Sequence, residues 1–224
     1  MMVDPSLHSN FLSNPHLVKL RSPREPSRDL KKLSALAVLS HPIRFNKRYA
    51  LREYEITSYD LVDKRRGIMY TEEFSGSTSG LFELPSKVIA YGRIRPYLAN
   101  IAVVPFTENG VVLTKSEWVI VDHEQGSNHL LGEILRTPFC ISQVYATSGQ
   151  TRPRLSLEAL AELVVPWPFS AEEAAQLDRE IASTTLDQIH IESHLLETKR
   201  KIHRKVGLVQ VEEPYSRVSP KKLL

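Results

Sequence analysis

The residues that could do chemistry fall into a few short groups, and each group lacks a part. His190 and His194 stand four apart, a spacing that puts two imidazoles on one face of a helix and can ligate a metal, but no third ligand accompanies them. Glu197-Thr198-Lys199 has the Glu-x-Lys spacing of many nucleases without an upstream acid on a strand. Ser13-Asn14-Pro15-His16 holds a fragment of an Asn-Pro-Pro-aromatic signature used in methyl transfer to adenine, and no glycine-rich cofactor motif goes with it. The segment from Phe74 to Gly80 has two glycines but no following Lys-Ser/Thr, so it is not a phosphate-binding loop. Cys140 lies among apolar residues and reads as core rather than as a nucleophile. No catalytic constellation, cofactor motif or metal site emerges, and the chain reads as a non-enzyme.

Composition narrows the class. The 224 residues carry 29 Lys plus Arg against 26 Asp plus Glu, a net charge of +3, so a basic face must come from clustering rather than from bulk charge. A hydrophobic content of 42% supports a packed core. The single cysteine excludes a disulfide framework and a cysteine-cluster zinc site, and it fits a reducing cytosol. Apolar runs such as Ile101–Val104 fall far short of the ~18 residues that a spanning helix needs, and residues 1–30 hold no signal-peptide core. The expectation is a cytoplasmic protein without membrane contact.

The elements that must position any site follow from periodicity and punctuation. Residues 1–29, with Pro5, Pro15, Pro23 and Pro26, read as a flexible basic arm. Leu30, Leu33, Leu36 and Ala37 predict a short helix ending near His41-Pro42. Tyr54 to Val62 reads as a strand running into a turn closed by Lys64-Arg65-Arg66-Gly67. Strands are expected at Lys87–Tyr91, Ile101–Val104, Val111–Leu113 and Trp118–Val121. Glu108-Asn109-Gly110 should join the second and third of these as a hairpin, because Asn-Gly tolerates positive φ. Ser127 is placed to cap a helix that carries Leu130, Leu131, Ile134 and Leu135 and stops near Pro138. Ser156 is placed to cap Leu157, Leu160 and Leu163, before a short strand Val164-Val165.

The last element is the longest. Ser170 with Glu173 forms a capping box, and neither Pro nor Gly recurs until Gly207, so residues 171–206 read as one helix about 54 Å long. Leu177, Ile181, Leu186, Ile189, Leu196, Ile202 and Val206 make a narrow apolar stripe on it, which predicts a second helix alongside. Acids dominate residues 172–187 and bases 199–205, which suits the helix dipole and favours an antiparallel neighbour of the same kind. Residues 207–224 read as a tail. The fold class is α+β: a mixed β-sheet domain with packed short helices over residues 30–168, then one long coiled-coil-type helix over 169–206.

Several segments, taken in order, resemble one family. Lys87-Val-Ile-Ala-Tyr-Gly-Arg-Ile-Arg-Pro-Tyr-Leu-Ala-Asn-Ile-Ala-Val-Val104 is similar to the central strand pair of the target recognition domains in type I restriction–modification specificity (S) subunits. Leu113 to Val121 looks like their next strand, and Leu130 to Phe139 like the helix that follows. Gly149-Gln-Thr-Arg-Pro-Arg-Leu-Ser156 matches the family's Gly-x-Thr-x-Pro-x-Leu/Ile-Ser loop, and Val164-Val-Pro-Trp-Pro168 its exit into the long helix. A full S subunit carries two recognition domains separated by two antiparallel helices. The resemblance therefore implies a half-size form that homodimerises through the helix, or pairs with another recognition domain, and reads a two-part DNA site.

The implied partners are double-stranded DNA, a separate adenine methyltransferase subunit and, where one exists, a restriction subunit. No cofactor is expected on this chain, because the methyltransferase brings S-adenosylmethionine and flips the adenine. A recognition domain must set hydrogen-bonding side chains against base edges and cations against phosphates. The candidates are Lys64, Arg65, Arg66, Arg93, Arg95, Tyr97, Asn100, Lys115, Arg152 and Arg154. Arg93 and Arg95 flank Ile94, so an extended segment would point both to one face. The structural alternative pairs Arg95 and Arg152 with internal acids such as Glu117 or Glu133. Two other functions stay open, a stand-alone DNA-binding regulator and a coiled-coil adaptor.

Overall fold

A computed structural model describes residues 29–46, 54–74, 76–145 and 153–205. Strands β1 (Leu30–Lys32) and β2 (Ala37–Ser40) flank a 3-10 turn at Leu33–Ala35. Next come β3 (Ile43–Arg44), β4 (Tyr54–Thr57), β5 (Val62–Asp63), β6 (Ile68–Met69), β7 (Glu72–Phe74) and β8 (Phe82–Pro85). They are followed by β9 (Ile89–Gly92), β10 (Ile101–Val103), β11 (Val111–Thr114) and β12 (Trp118–His123). Helices α1 (Asn128–Leu135), α2 (Pro138–Tyr145) and α3 (Leu157–Ala161) lead to β13 (Val164–Pro166) and helix α4 (Ala171–Lys205).

Six strands form a mixed sheet in the order β2-β12-β9-β10-β6-β5, and five form a second in the order β3-β8-β11-β4-β7. The central strands read apolar throughout because both faces of the six-stranded sheet are covered. Alternation sorts their side chains. Ile89, Tyr91, Ile101, Val119 and Val121 face one way and pack with Leu131, Leu135 and Leu160 of the helices. Ala90, Ala102, Trp118 and Ile120 face the other way and meet Leu84 and Val112 of the five-stranded sheet. The domain is thus three layers deep, helices on one sheet on the other. A third cluster (Phe45, Tyr54, Leu81, Leu113) fills the second sheet.

Several elements depart from what the residues predict. Residues 30–39 form a strand, a 3-10 turn and a strand, not a helix. Leu33 and Leu36 are buried at a spacing of three, which a 3-10 turn eclipses as well as a helix does. The flanking residues are claimed by β13 and β12. The Asn109-Gly110 turn forms, with Gly110 at φ +71° and its N–H donating to Thr107 O at 2.9 Å. It does not close a hairpin: β10 pairs with β9 and β6, whereas β11 pairs with β8 and β4 in the other sheet. Ser127 occupies the N-cap of α1, but its hydroxyl makes no capping bond. The Leu130 N–H is taken by Asp178 Oδ1 of α4 at 2.9 Å. Pro138 begins α2, a position where its missing N–H costs nothing.

Other local signals form as written in the residues. Ser156 Oγ accepts the Ala159 N–H at 3.1 Å. Ser170 and Glu173 exchange both bonds of the capping box, at 2.9 and 3.3 Å, and these bonds hold the Glu173 carboxyl below its usual pKa. Helix α4 runs unbroken from there. Its stripe, however, serves the domain before it can serve another helix. Ala174 is 1% exposed and Leu177 and Ile181 pack on the helix-side core, so the first half of the stripe is occupied within the chain. Leu186 is 46% exposed and, with Ile189, lines a groove beside the six-stranded sheet. Leu196 and Ile202 fall outside the described side chains. Among the described residues no helix is long and apolar enough to cross a membrane.

Candidate nucleic-acid interface

The candidate cations divide into two regions. The first is built where strand β9 ends. Gly92 sits so close to Asn100 that a Cβ there would lie 2.8 Å from the Asn100 Cβ. The chain then leaves the strand: Arg95 adopts a left-handed conformation at φ 50°, and Pro96–Leu98 forms a 3-10 turn. Arg93 and Arg95 therefore do not share the face of an extended strand, which corrects the expectation from their alternation.

Segment 93–95 is stitched on two sides. The Leu155 N–H donates to Arg93 O and the Arg95 N–H to Pro153 O, each at 2.9 Å, with Ile94 bridged to Arg154. On the other side the Arg93 N–H donates to Glu117 O at 2.9 Å. Glu117 Oε1 accepts from Arg154 Nη2 at 2.7 Å, so Glu117 organises this region through both its backbone and its carboxylate. The expected internal acid, Glu117, takes Arg154 rather than Arg95. Arg93 turns its Nε to Leu155 O at 3.0 Å and helps fasten the loop. Arg95 and Lys115 are exposed on adjoining segments.

Buried groups keep the region stiff. Thr114 Oγ1 accepts from the Ser116 N–H (3.0 Å) and from Trp118 Nε1 (3.1 Å), which shapes the turn that carries Lys115. The Trp118 ring meets Tyr59 edge-on at 4.6 Å, and the Tyr59 hydroxyl donates to Glu117 O. Burial pushes the Tyr59 phenol up to about 12, so it stays a neutral donor. Tyr97 is half-buried in the 96–98 turn. Asn100 is 3% exposed, with its Oδ1 unpartnered among the described residues. Asn100 is therefore a packing residue under Gly92 and not the base-reading side chain that its type suggested.

The second region is the turn after β5. Lys64 and Arg65 are exposed, and the Arg65 N–H donates to Asp63 Oδ1 at 3.0 Å. Arg66 is exposed as well, yet its guanidinium is engaged: it pairs with Glu192 of α4 and approaches Asp63 at 3.6 Å. Gly67, at φ +66°, lies against the Arg136 guanidinium, which pairs with Glu133. Arg66, expected among the DNA contacts, thus carries an ion pair to α4. Arg152 lies outside the described residues. Sequence reasoning missed Tyr59, Arg136 and Glu192, and passed over Glu117 as a mere internal partner. Their roles depend on contacts made far along the chain. His190 and His194 are exposed on α4, and among the described residues no three His, Cys, Asp or Glu side chains gather as a metal site would require.

No protein-family model matches the chain, and no curated protein does. Solved structures are similar to it. The HsdS subunit from Thermoanaerobacter tengcongensis superposes with a TM-score of 0.56 at 15% identity, over 83% of this chain and 49% of that one. The fold is that of the type I specificity subunit HsdS. A chain from a type I R-M system, solved in work on its complex assembly and conformational transition, gives a TM-score of 0.58 at 14% identity. That match covers 88% of this chain and 53% of the other. The chain thus spans about half the length of these HsdS-like neighbours, the extent of one mixed-sheet domain and one long helix.

Proposed function

We propose that this chain is a DNA-recognition component of a type I restriction–modification system, which directs a separate adenine methyltransferase subunit to a two-part site. The observation that carries the reading is the HsdS-like combination of a mixed-sheet domain with a long helix rooted beside it. In this reading the domain supplies the readers, and methyl transfer belongs to a partner. Arg95, Lys115 and Arg154 are the side chains best placed for phosphate or base contacts, with Lys64 and Arg65 as a second point of contact. A bidentate arginine–guanine contact contributes about 1–3 kcal/mol of discrimination, so two or three such residues suffice for a short half-site. The second half-site is read by another recognition domain, from a second copy or a different chain, held across α4. A restriction subunit joins where the system also cleaves.

The test is to co-express the chain with an adenine methyltransferase subunit of a type I system and map methylated adenines across the host DNA. One recurring two-part motif with a fixed spacer is the expected result. No methylation, together with DNA binding that does not weaken as salt rises, would favour a coiled-coil adaptor. Specific binding without any methylation would favour a stand-alone regulator.

A further inference from the structure

Helix α4 meets the domain at two separated points. At the first, Asp178 Oδ1 accepts the Leu130 N–H at 2.9 Å, and Ala174, Leu177 and Ile181 pack into the helix-side core around it. At the second, fourteen residues further on, the Glu192 carboxylate takes the Arg66 guanidinium and, at 3.0 Å, the Tyr70 hydroxyl. The two points lie about 21 Å apart along the rod. Between them the helix does not close on the sheet. Thr185, Leu186 and Ile189 form one side of a groove of about 390 Å³, with Met69 and Phe106 also lining it.

An open groove resists tilting poorly, so the direction of α4 beyond Asp178 rests on the Glu192 contact. That contact is braced from the domain side. Asp63 lies 3.6 Å from Arg66 Nε, and Arg66 O accepts from Arg136 Nη2 at 3.2 Å. The helix continues to Lys205, about 20 Å past the contact. Measured from Asp178, its far end is about twice as distant as Glu192. A shift of ~2 Å at Glu192 therefore moves that end by ~4 Å, more than the ~3.4 Å rise of one base pair.

We infer that Glu192, gripped by Arg66 and Tyr70, is a positioning residue that fixes the angle between the domain and α4, and through it the number of base pairs tolerated between the half-sites. The link to spacing rests on the function proposed above. The angle itself does not.

Two arms on the full chain test this. Glu192→Lys removes the acceptor and repels Arg66, and Arg66→Glu with Glu192→Arg restores an ion pair with its charges exchanged. In the first arm, nitroxide labels at Ser79→Cys and Thr198→Cys report the distance from sheet to distal helix by pulsed electron paramagnetic resonance. The native Cys140 is buried and takes no label. Glu192→Lys should broaden the distance distribution by about 3 Å, a shift of ~2 Å at Glu192 carried by the helix to position 198, and the exchanged pair should narrow it again. An unchanged distribution overturns the clasp, whatever happens on DNA. In the second arm, the complex with its methyltransferase acts on sites with graded spacers. Methylation at off-length spacers, relative to the preferred one, should rise about fivefold in Glu192→Lys, the scale of one partly exposed ion pair. A widened distribution with unchanged spacer preference overturns the link to spacing. A wild-type complex that methylates no site at any spacing overturns the functional reading instead, and the first arm then decides the clasp alone.

Discussion

The turn at 64–67 and the region around Glu117 hold similar cations and use them in opposite directions. At 64–67 the acids are Asp63 beside the turn, Glu192 on α4 and Glu133 on α1, and Arg66 and Arg136 pair with the two on the helices. Around Glu117 one carboxylate faces Arg154 while Arg95 and Lys115 stand exposed on segments held by backbone bonds. The first region fastens a helix and the second presents charge. What separates them is the number of carboxylates within reach, a tertiary quantity that basic residues in a row do not reveal.

Substitutions can break or sharpen that contrast. Gly67→Ala strikes the fastening region hardest, because it puts a Cβ at positive φ into the Arg136 guanidinium. A loss of about 2 kcal/mol is expected, with a melting temperature lower by ~4–8 °C and DNA binding by the other region untouched. The reverse pattern is expected for Lys115→Ala with Arg154→Ala. Thermal stability should hold, while the slope of log affinity against log salt becomes shallower by about 2, near 0.9 for each phosphate that is no longer neutralised. Arg66→Ala should leave that slope unchanged, and a matching change there would erase the distinction between the regions.

Two smaller effects test how the helices are seated. Asp178→Ala removes the cap that α4 lends to α1 and should lower stability by about 1 kcal/mol, read from the urea midpoint at constant m. His123 supplies the pH dependence. Its Nδ1 accepts the Gln125 and Ser127 N–H groups at 3.2 and 3.3 Å, an arrangement that only an unprotonated nitrogen can make. Burial holds its pKa, and that of His129, below the ordinary value. The unfolded chain therefore takes up protons first as the pH falls. Stability should be complete above about pH 6.5 and decline below it, and His123→Asn should flatten that decline in thermal melts run from pH 7.5 to 5. Far from both basic regions, Glu162→Ala breaks the exposed pair with Lys32 and should stay within ~0.5 kcal/mol.

What the residues disclose on their own is mostly local. The Ser170–Glu173 capping box, the unbroken run of α4 and the apolar central strands follow from bonds within four residues or from period-two alternation, and they form as the residues require. The Asn109-Gly110 turn is equally local and also forms. Which strands it joins is not local, since β10 and β11 find partners in different sheets. Leu30 to Leu39 fails for a related reason, because an apolar spacing of three fits a 3-10 turn between two strands as well as a helix. The fate of Leu177 and Ile181 was hidden in the same way: a narrow stripe satisfies a partner helix or the chain's own domain. At the interface the residue types were visible. Which of them are tied into ion pairs depended on Glu117 and Glu192, whose partners lie up to 126 positions away in the chain.

The pairing of β1 with β13 sets Leu30 opposite Pro166, immediately before α4 begins. The path into the sheets and the path out of them thus share one narrow stem, with everything from the 3-10 turn to α3 strung between. A stem of that kind lets the intervening 130-odd residues be exchanged as a cassette while the base of the helix stays where it was. A graft spliced at Lys32 and Val164 would replace the sheets and leave α4 rooted where it stands, provided that it brings its own grip for Glu192.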